Sequence, residues 1–254
     1  MEEILKVTNV TKYYGNASVV TKALNAISFS MEKGEFLAVM GASGSGKSTL
    51  LNVVATIDRV SSGEIVIGGR SLTELDEETL AIFRRDQLGF VFQEYNLLDT
   101  LTIGENIMLP LHLRRENAKT AHNALMRVAQ ALGIASQLSK FPYMLSGGQR
   151  QLAACARALI TTPALVLADE PTGALDSKNS LLLMRAFAAM NSNWAATILM
   201  VTHNPAIAAF ASRILFLKDG AIWHEIYRGD RDRRDFQREI LSITAALGGD
   251  IDVL

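Results

Sequence analysis

The sequence predicts an α/β fold with a mainly parallel sheet, on three observations. Short runs rich in Val, Ile, Leu and Phe recur along the chain, with helical patterns between many of them. Two of these runs, 164–168 and 198–201, are apolar at almost every position, as expected for strands that helices cover on both faces. With 254 residues, of which 49% are hydrophobic, the chain has enough apolar material for a large core.

The elements divide into a core, an inserted segment and a final helix. Residues 94–160 contain no convincing strand, and their pattern predicts successive helices set into a core formed by 1–93 and 161–229. The segment 230–254 is predicted to carry the last helix, whose apolar residues recur at helical spacing. Packing against the core and binding of a partner are both open for that helix. The predicted strands are 4–10, 26–31, 36–40, 64–67, 88–92, 164–168, 198–201 and 214–217.

Composition excludes several classes of protein. The formal net charge of -1 and the pI of about 6.4 give no overall basic field for nucleic acid, so no nucleic-acid partner is expected. The single cysteine, Cys155, cannot form an intramolecular disulfide and is predicted to be a buried helix residue. No apolar run approaches the roughly 20 residues that span a bilayer, and the acidic start lacks a signal peptide's basic region. We therefore expect a chain that is neither secreted nor membrane-spanning.

A glycine-rich loop follows the strand predicted at 36–40 and precedes a helix-forming segment. This context and the pattern G-x-x-x-x-G-K-[ST] predict a phosphate-binding loop. Its glycines let successive N–H groups point at phosphate oxygens, and the helix start adds a positive dipole end. Lys47 is expected to neutralise the β- and γ-phosphates, and Ser48 to place its hydroxyl on Mg²⁺. The loop consists of Gly41, Ala42, Ser43, Gly44, Ser45, Gly46, Lys47, Ser48 and Thr49.

Two carboxylates end the buried strand at 164–168. Ligands bind at this end of the strands in open α/β sheets. If the strand continues, Asp169 and Glu170 point to opposite faces. Asp169 is then predicted to serve Mg²⁺, and Glu170 to act as the general base for an attacking water.

A second glycine-rich helix start lies at 145–149. The segment L-S-G-G-Q opens a clear helical pattern, so this is another helix N-terminus with exposed N–H groups. In a two-fold pair, each chain's second start would close over the nucleotide of the other chain. A homodimer that buries two ATP molecules is therefore predicted, with Ser146, Gly147, Gly148 and Gln149 facing the partner's nucleotide.

The motifs together resemble the ATP-binding-cassette ATPases. Besides the loop at 41–49, they are F-V-F-Q at 90–93, L-S-G-G-Q, L-V-L-A-D-E-P-T, A-L-D at 174–176 and T-H at 202–203. The resemblance implies a P-loop NTPase core with a mainly parallel sheet, an N-terminal antiparallel β-subdomain and an inserted helical subdomain. It also implies that Gln93 links Mg²⁺ and the attacking water to the transporter contact, that Asp176 couples the two sites across the dimer, and that His203 contacts the γ-phosphate.

The same family stacks an aromatic ring on adenine. Tyr13 and Tyr14 both lie in the corresponding region, and alignment of the residues that follow favours Tyr14. Stacking of this kind contributes about 1 kcal/mol, which does not choose between the two by energy.

Within this family, the chain resembles the ATPase subunits of transporters. The spacing between the two glycine-rich starts leaves no room for the coiled coil of cassette ATPases that act on DNA, and translation factors carry two cassettes. The expected partner is an integral-membrane permease at the cytoplasmic face of a bacterial plasma membrane, with a sensor kinase contacted through it. A P-loop small-molecule kinase is the rival from another class.

Finer similarity comes from the segments M-G-A-S-G-S-G-K-S-T-L-L-N-V, F-Q-E-Y-N-L-L-D-T-L-T and A-D-E-P-T-G-A-L-D-S-K. They look like the bacitracin-type antimicrobial-peptide resistance ATPases (the BceA group). Lipoprotein-release and macrolide-export ATPases are close alternatives. The resemblance implies ATP and Mg²⁺ as the nucleotide and metal.

Overall fold

The computed structural model describes residues 2–16 and 19–249, which form two compact units. The first unit contains the described residues up to Asp76 and from Thr197 onward, and the second contains Glu77–Ala196. Each unit is an assembly of strands and helices with its own buried apolar residues.

An antiparallel sheet forms the N-terminal part of the first unit, in the strand order β2-β1-β4-β5. This confirms the expected N-terminal antiparallel β-subdomain. Asn9 and Ala26 have positive φ values of 49° and 51°, and the pairing of the first two strands shifts register nearby. Those two strands are longer than predicted because residues 12–16 of β1 also pair with residues 19–24 of β2. The strands are β1 (Glu3–Asn16), β2 (Val19–Glu32), β4 (Ser62–Ile67) and β5 (Arg70–Ser71).

The remaining strands of the first unit lie in the order β10-β9-β3-β8. The strand β3 pairs in parallel with both neighbours, and its residues Phe36 to Met40 are buried. These parallel pairs confirm the predicted sheet type. The edge strand β10 was not predicted, although Asp219 and Gly220 form a two-residue turn with φ values of 49° and 76° before it, which is a hairpin signal. The strands are β3 (Phe36–Gly41), β8 (Ile198–Val201), β9 (Arg213–Lys218) and β10 (Ala221–Tyr227).

Three helices accompany these strands: α1 (Lys47–Val54), α7 (Pro205–Ala208) and α8 (Arg233–Gly249). The last helix packs against its own unit, because Phe236 and Ile240 are fully buried and Arg233 stacks over the ring of Phe210 at 4.2 Å. Of the two possibilities left open for this helix, packing against its own unit is the one that the structure shows. None of the helices in the described part of the chain is both long and apolar enough to cross a membrane.

The second unit combines two parallel strands with five helices. The strand β6 pairs with β7 from Leu88 opposite Leu165 to Val91 opposite Ala168. The thiol of Cys155 is fully buried, and burial raises its pKa, as expected for a small core residue. Short 3-10 helices lie at Ala135–Gln137 and Pro142–Met144. The elements are β6 (Leu88–Val91), β7 (Leu165–Asp169), α2 (Glu77–Gln87), α3 (Ile103–Leu113), α4 (Ala118–Ala131), α5 (Gly147–Leu159) and α6 (Ser177–Trp194).

Candidate functional site

The phosphate loop joins the end of β3 to the start of α1. Three of its glycines, Gly41, Gly44 and Gly46, have φ values of 156°, 79° and 99°, a region that residues with a Cβ rarely adopt. Gly46 is the N-cap of α1 and provides no side-chain hydrogen bond to the first turn. The helix therefore begins without a side-chain cap on its N–H groups.

Two of the loop glycines are also required by close contacts. A Cβ at Gly41 would lie 2.4 Å from the backbone oxygen of Leu217, and one at Gly46 would lie 2.5 Å from that of Ala23. At Gly44 a Cβ would meet nothing within 4 Å. Backbone crowding thus fixes the two ends of the loop, whereas the middle glycine faces open space.

Lys47 turns its side chain back over the loop. Its Nζ donates to the backbone oxygens of Gly41 at 3.0 Å and of Ala42 at 2.7 Å. Ser48 is exposed and Thr49 half-buried in the first turn of α1, whereas Ser45 is buried. The Lys47 ammonium therefore lies beside the part of the loop where Ala42, Ser43 and Gly44 are exposed.

Tyr14 on β1 is tied to the chain that follows α1. Its hydroxyl donates to Asp58 Oδ2 at 2.6 Å, four residues beyond the end of the helix. The Lys12 ammonium lies 4.8 Å from the Tyr14 ring centroid and donates to Asp58 Oδ1 at 2.6 Å. Tyr13 instead lies beside Lys22 of β2. Both tyrosine rings are exposed, at 42% and 45%, so exposure alone does not select Tyr14.

The contacts among Lys12, Tyr14 and Asp58 shift the pKa values of Asp58 and Tyr14. Burial works to raise the pKa of Asp58, but hydrogen bonds from Lys12 and Tyr14 outweigh it and the pKa is lowered. Burial and the hydrogen bond to Asp58 raise the pKa of Tyr14. Asp58 is therefore a carboxylate that holds a neutral phenol and a cation together.

His203 is exposed in the first unit, two residues after the end of β8. The next residue, Asn204, is the N-cap of α7, and its side chain accepts a hydrogen bond from the Ala206 N–H at 2.9 Å. The backbone that leads away from His203 is held by this cap.

In the second unit, β7 ends at Asp169, so the strand does not continue through Glu170. The expected opposite orientation of the two carboxylates depended on that continuation and is not supported. Glu170 instead has a φ of 44°, in the left-handed region, and its carbonyl accepts from the Gly173 N–H at 2.9 Å. The strand therefore ends at Asp169, and a tight turn begins at Glu170, directly before Pro171.

Gln93 lies against that turn. A Cβ at Gly173 would fall 2.8 Å from Cδ of Gln93 and 3.0 Å from its Nε2. A Cβ at this position would therefore require the end of the Gln93 side chain to shift. The structure therefore brings the Gln93 side chain and the turn that starts at Glu170 together within the second unit.

The second glycine-rich start is a capped helix. Ser146 is the N-cap of α5, its hydroxyl accepts from the Gln149 N–H at 3.3 Å, and the Gln149 side chain accepts from the Ser146 N–H at 3.1 Å. This is a capping box, which satisfies two donors reciprocally. Gly147 and Gly148 follow in the first turn of α5.

Asp176 is the N-cap of α6. Its carboxylate accepts from the Asn179 backbone N–H and from Asn179 Nδ2, both at 2.8 Å. These hydrogen bonds, the backbone one first, lower the pKa of Asp176. Asn179 also closes on α5, since a Cβ at Gly148 would lie 2.5 Å from its Oδ1.

The predicted site residues thus fall into two groups. The first unit holds the phosphate loop, Tyr14 and His203, and the second holds Gln93, Asp169, Glu170, Asp176 and the start of α5. Sequence reasoning missed Asp58, Gly173 and Asn179, which contact these residues, and Gln151, which bonds the chain neighbours of Gln93 and Glu170. Gln151 had a signal, since it is a polar residue directly before the apolar run 152–156 of α5.

Comparison with known proteins gives one consistent family. A family model described as ABC transporter matches residues 24–173. The ABC transporter ATP-binding protein YxdL of Bacillus subtilis is 51% identical over 254 residues, 100% of this chain and 98% of that protein. The bacitracin export ATP-binding protein BceA of Halalkalibacterium halodurans is 48% identical over 246 residues, 97% of each chain. Macrolide-export and lipoprotein-releasing ATP-binding proteins are also similar, at lower identity.

The fold is matched by a solved structure as well. The dimeric post-hydrolysis structure of the ATP-binding cassette MJ0796 bound to ADP and Pi has a TM-score of 0.80 and 37% identity. It covers 88% of this chain and 98% of that one. The predicted P-loop NTPase fold is therefore confirmed.

Proposed function

Because the chain belongs to the ABC transporter family and is an ABC-type ATPase, we propose that it powers a bacterial membrane permease that removes bacitracin-type antimicrobial peptides. The observation that carries the ATPase part is the uncapped start of α1 behind a loop of left-handed glycines, with Lys47 beside it. Similarity to the bacitracin export protein, at a higher identity than to the macrolide and lipoprotein systems, supports the peptide class.

ATP is held by the first unit in this proposal. The N–H groups of residues 41–49 and the Lys47 ammonium contact its phosphates. Backbone N–H groups that point inward and a helix N-terminus both favour a bound anion. The Tyr14 ring stacks on adenine, and its hydrogen bond to Asp58 orients it. His203 contacts the γ-phosphate.

Mg²⁺ fits the oxygen donors that the chain offers. Among the residues that the structure describes, no three His, Cys, Asp or Glu side chains cluster to hold a metal ion. The proposed ligands come from the motifs and the family resemblance: the Asp169 carboxylate, the Ser48 hydroxyl and the Gln93 amide oxygen, which are hard oxygens of the kind that Mg²⁺ requires together with several waters. When bound, the ion would neutralise charge on the phosphates.

Hydrolysis is assigned to the turn after β7. Glu170 takes a proton from the attacking water as the water oxygen bonds to the γ-phosphorus and the bond to the bridging oxygen of ADP breaks. Gln93 positions that water through its amide. The Gln93 side chain packs against Gly173, which closes the turn that begins at Glu170. This packing supports a shared role for Gln93 and Glu170.

A homodimer completes the proposed site. Ser146, Gly147, Gly148 and Gln149 of one protomer face the nucleotide on its partner, and Asp176 couples the two sites. The permease contacts the dimer at the cytoplasmic face of the plasma membrane, and a sensor kinase is reached through the permease. Similarity to a dimeric cassette supports the pairing.

The test is hydrolysis by Glu170→Gln. We expect this variant to bind ATP as the wild type does but to turn over about 10²-fold or more slowly, because it lacks the general base. Phosphate release is measured in water with no acceptor, which a small-molecule kinase would require. Glu116→Gln, an exposed carboxylate in the same unit, is the matched control and should hydrolyse normally.

The peptide class is tested in cells that lack the native gene. Wild-type chain should restore growth in bacitracin when its permease is present, and Glu170→Gln should not. Restoration of macrolide tolerance or of lipoprotein release instead would redirect the substrate assignment while leaving the ATPase in place.

A further inference from the structure

A buried glutamine lies in the middle of the second unit. Gln151 is on the second turn of α5 and is 0% exposed. The residues that follow it in this helix, Leu152, Ala153, Ala154 and Cys155, are buried as well. A buried amide is retained in such surroundings only where its polar atoms have partners.

The partners of Gln151 are two backbone carbonyls far apart in the chain. Its Nε2 donates to Phe92 O at 3.0 Å and to Pro171 O at 2.7 Å. Phe92 directly precedes Gln93, and Pro171 directly follows Glu170. One NH₂ group therefore joins the segment that carries Gln93 to the segment that carries Glu170.

The amide oxygen of Gln151 takes no part in joining these two segments. Gln151 Oε1 is buried and has no hydrogen-bond partner in the described part of the chain. The side chain is thus held by its two donated hydrogen bonds, and their loss would leave two carbonyls without this donor.

The segment that Gln151 holds is conformationally unusual. Glu170 has a φ of 44°, and a residue with a Cβ keeps such a conformation only where its surroundings impose it. The Gly173 N–H to Glu170 O hydrogen bond closes the turn from one side, and Gln151 holds Pro171 from the other. Gln93 lies against Gly173 in the same turn.

We propose that Gln151 is a positioning residue for ATP hydrolysis, whose amide sets the separation of Gln93 and Glu170. This inference rests on the proposed function, which assigns both residues to the attacking water. Since Ser146 caps the same helix, contacts at the start of α5 and the arrangement of the water-side residues are connected through one rigid element.

The decisive variant is Gln151→Glu, because its function should depend on pH. A protonated carboxyl still donates one hydrogen bond, whereas a carboxylate donates none and opposes two carbonyl oxygens. Burial raises the pKa of such a carboxyl, so the variant should keep part of its activity at low pH. Its kcat relative to wild type should fall about tenfold or more from pH 6 to pH 8.5, since general positioning effects of this kind are large. The KM for ATP should stay within about twofold, because the phosphate loop is untouched.

Two further variants complete the experiment. Gln151→Met has similar length and no donor, and its kcat should be reduced by the same factor at every pH. Gln130→Glu introduces the same charge on the exposed face of α4, and its ratio to wild type should stay near one throughout. The charged residues that flank Gln151 and Pro171 in the chain, Arg150, Asp169 and Glu170, are unchanged in all of these proteins, so each comparison with wild type isolates the substitution.

The outcomes separate this inference from the function on which it rests. If wild type hydrolyses ATP, Glu170→Gln does not, and both Gln151 variants show wild-type kcat with a flat pH ratio, the positioning role is wrong and the ATPase assignment stands. A lower melting temperature of Gln151→Met with unchanged kcat would also overturn it, because the amide would then serve stability alone. Absence of hydrolysis in the wild type would instead overturn the proposed function.

Discussion

Two helices of this chain begin after glycine-rich segments, and they begin in different ways. The first, α1, has the left-handed Gly46 as N-cap and no side-chain cap, whereas α5 has Ser146 as N-cap and a complete capping box with Gln149. The start of α1 therefore leaves its N–H groups to a bound anion. The start of α5 satisfies two donors within the chain, so it is stable as a helix end before any nucleotide arrives.

The glycines serve different purposes in the two places. Gly41 and Gly46 are required by left-handed backbone and by close backbone oxygens. Gly148 has no such backbone requirement, and a Cβ there would instead meet the Asn179 side chain of α6. The first segment is shaped to wrap around a ligand, and the second to let a neighbouring helix approach.

The largest expected effect comes from Gly46→Ala. The new Cβ would lie 2.5 Å from Ala23 O on a backbone with φ of 99°, so the start of α1 has to move. We expect the Kd for ATP to rise by about 100-fold or more, which is roughly 2.7 kcal/mol. Titration with a fluorescent ATP analogue measures it.

Gly44→Ala is the matched control for this change. Its φ is also positive, at 79°, but a Cβ would meet nothing within 4 Å. Left-handed strain alone costs about 1–2 kcal/mol. Equal weakening of ATP binding in the two variants would show that crowding at Gly46 is irrelevant.

The second prediction tests whether the capped start of α5 serves the partner's nucleotide. Homodimers of Ser146→Arg and of Lys47→Ala should occlude no ATP. A mixed dimer of the two chains concentrates both defects in one site, so it should occlude one ATP where the wild type occludes two. The count is made with Glu170→Gln in every chain, which slows turnover. A mixed dimer with no occluded ATP would mean that each α5 acts on its own chain's nucleotide.

The third prediction separates the two tasks of Ser146. Ser146→Ala removes the capping box and should lower the free energy of unfolding by about 1 kcal/mol, as measured by urea denaturation. ATP occlusion should fall as well, because the hydroxyl also faces the partner's nucleotide in the proposed dimer.

Thr102→Ala is the control for that loss of stability. Thr102 forms the corresponding capping box with Glu105 at the start of α3, and none of the predicted site residues lies in that helix. It should cost a similar free energy and leave ATP occlusion unchanged. Equal loss of occlusion in both variants would reduce the role of Ser146 to helix capping.

The comparison also explains how much the sequence predicts. The phosphate loop and the Asp169–Glu170 pair are contiguous motifs next to strands, so local pattern is sufficient to locate them. The contacts of Gln151 join it to residues 59 and 20 positions away, and no spacing rule records such a pairing. The carboxylates at 169 and 170 indicated the end of β7, but the left-handed conformation of Glu170 has no signal in the pattern.

The strands also differ in how well the sequence predicts them. Apolar runs such as β3 and β8 were located to within a residue, because burial on both faces gives a continuous signal. The edge strand β10 carries the exposed Trp223 and Tyr227 beside polar residues, and β5 has only two residues. Edge and very short strands carry too little apolar periodicity to be detected.

The smallest predicted effect concerns the support of Tyr14 beside α1. In Asp58→Asn the side chain keeps its shape, but only one oxygen remains to accept from both Lys12 and the Tyr14 hydroxyl. The ring should then be less well oriented for adenine, and the KM for ATP should rise about threefold with kcat unchanged, a loss of uniform binding of roughly 0.7 kcal/mol.

Tyr14→Phe shows whether the effect passes through the hydroxyl. It keeps the ring and removes the donor to Asp58, so it should raise KM by a similar factor, and the double variant should be no worse than either single one. Inorganic triphosphate, which lacks the base, should bind all four proteins equally. If Asp58→Asn weakens triphosphate as much as ATP, the carboxylate supports the phosphate loop instead, and the adenine-side role of this cluster is wrong.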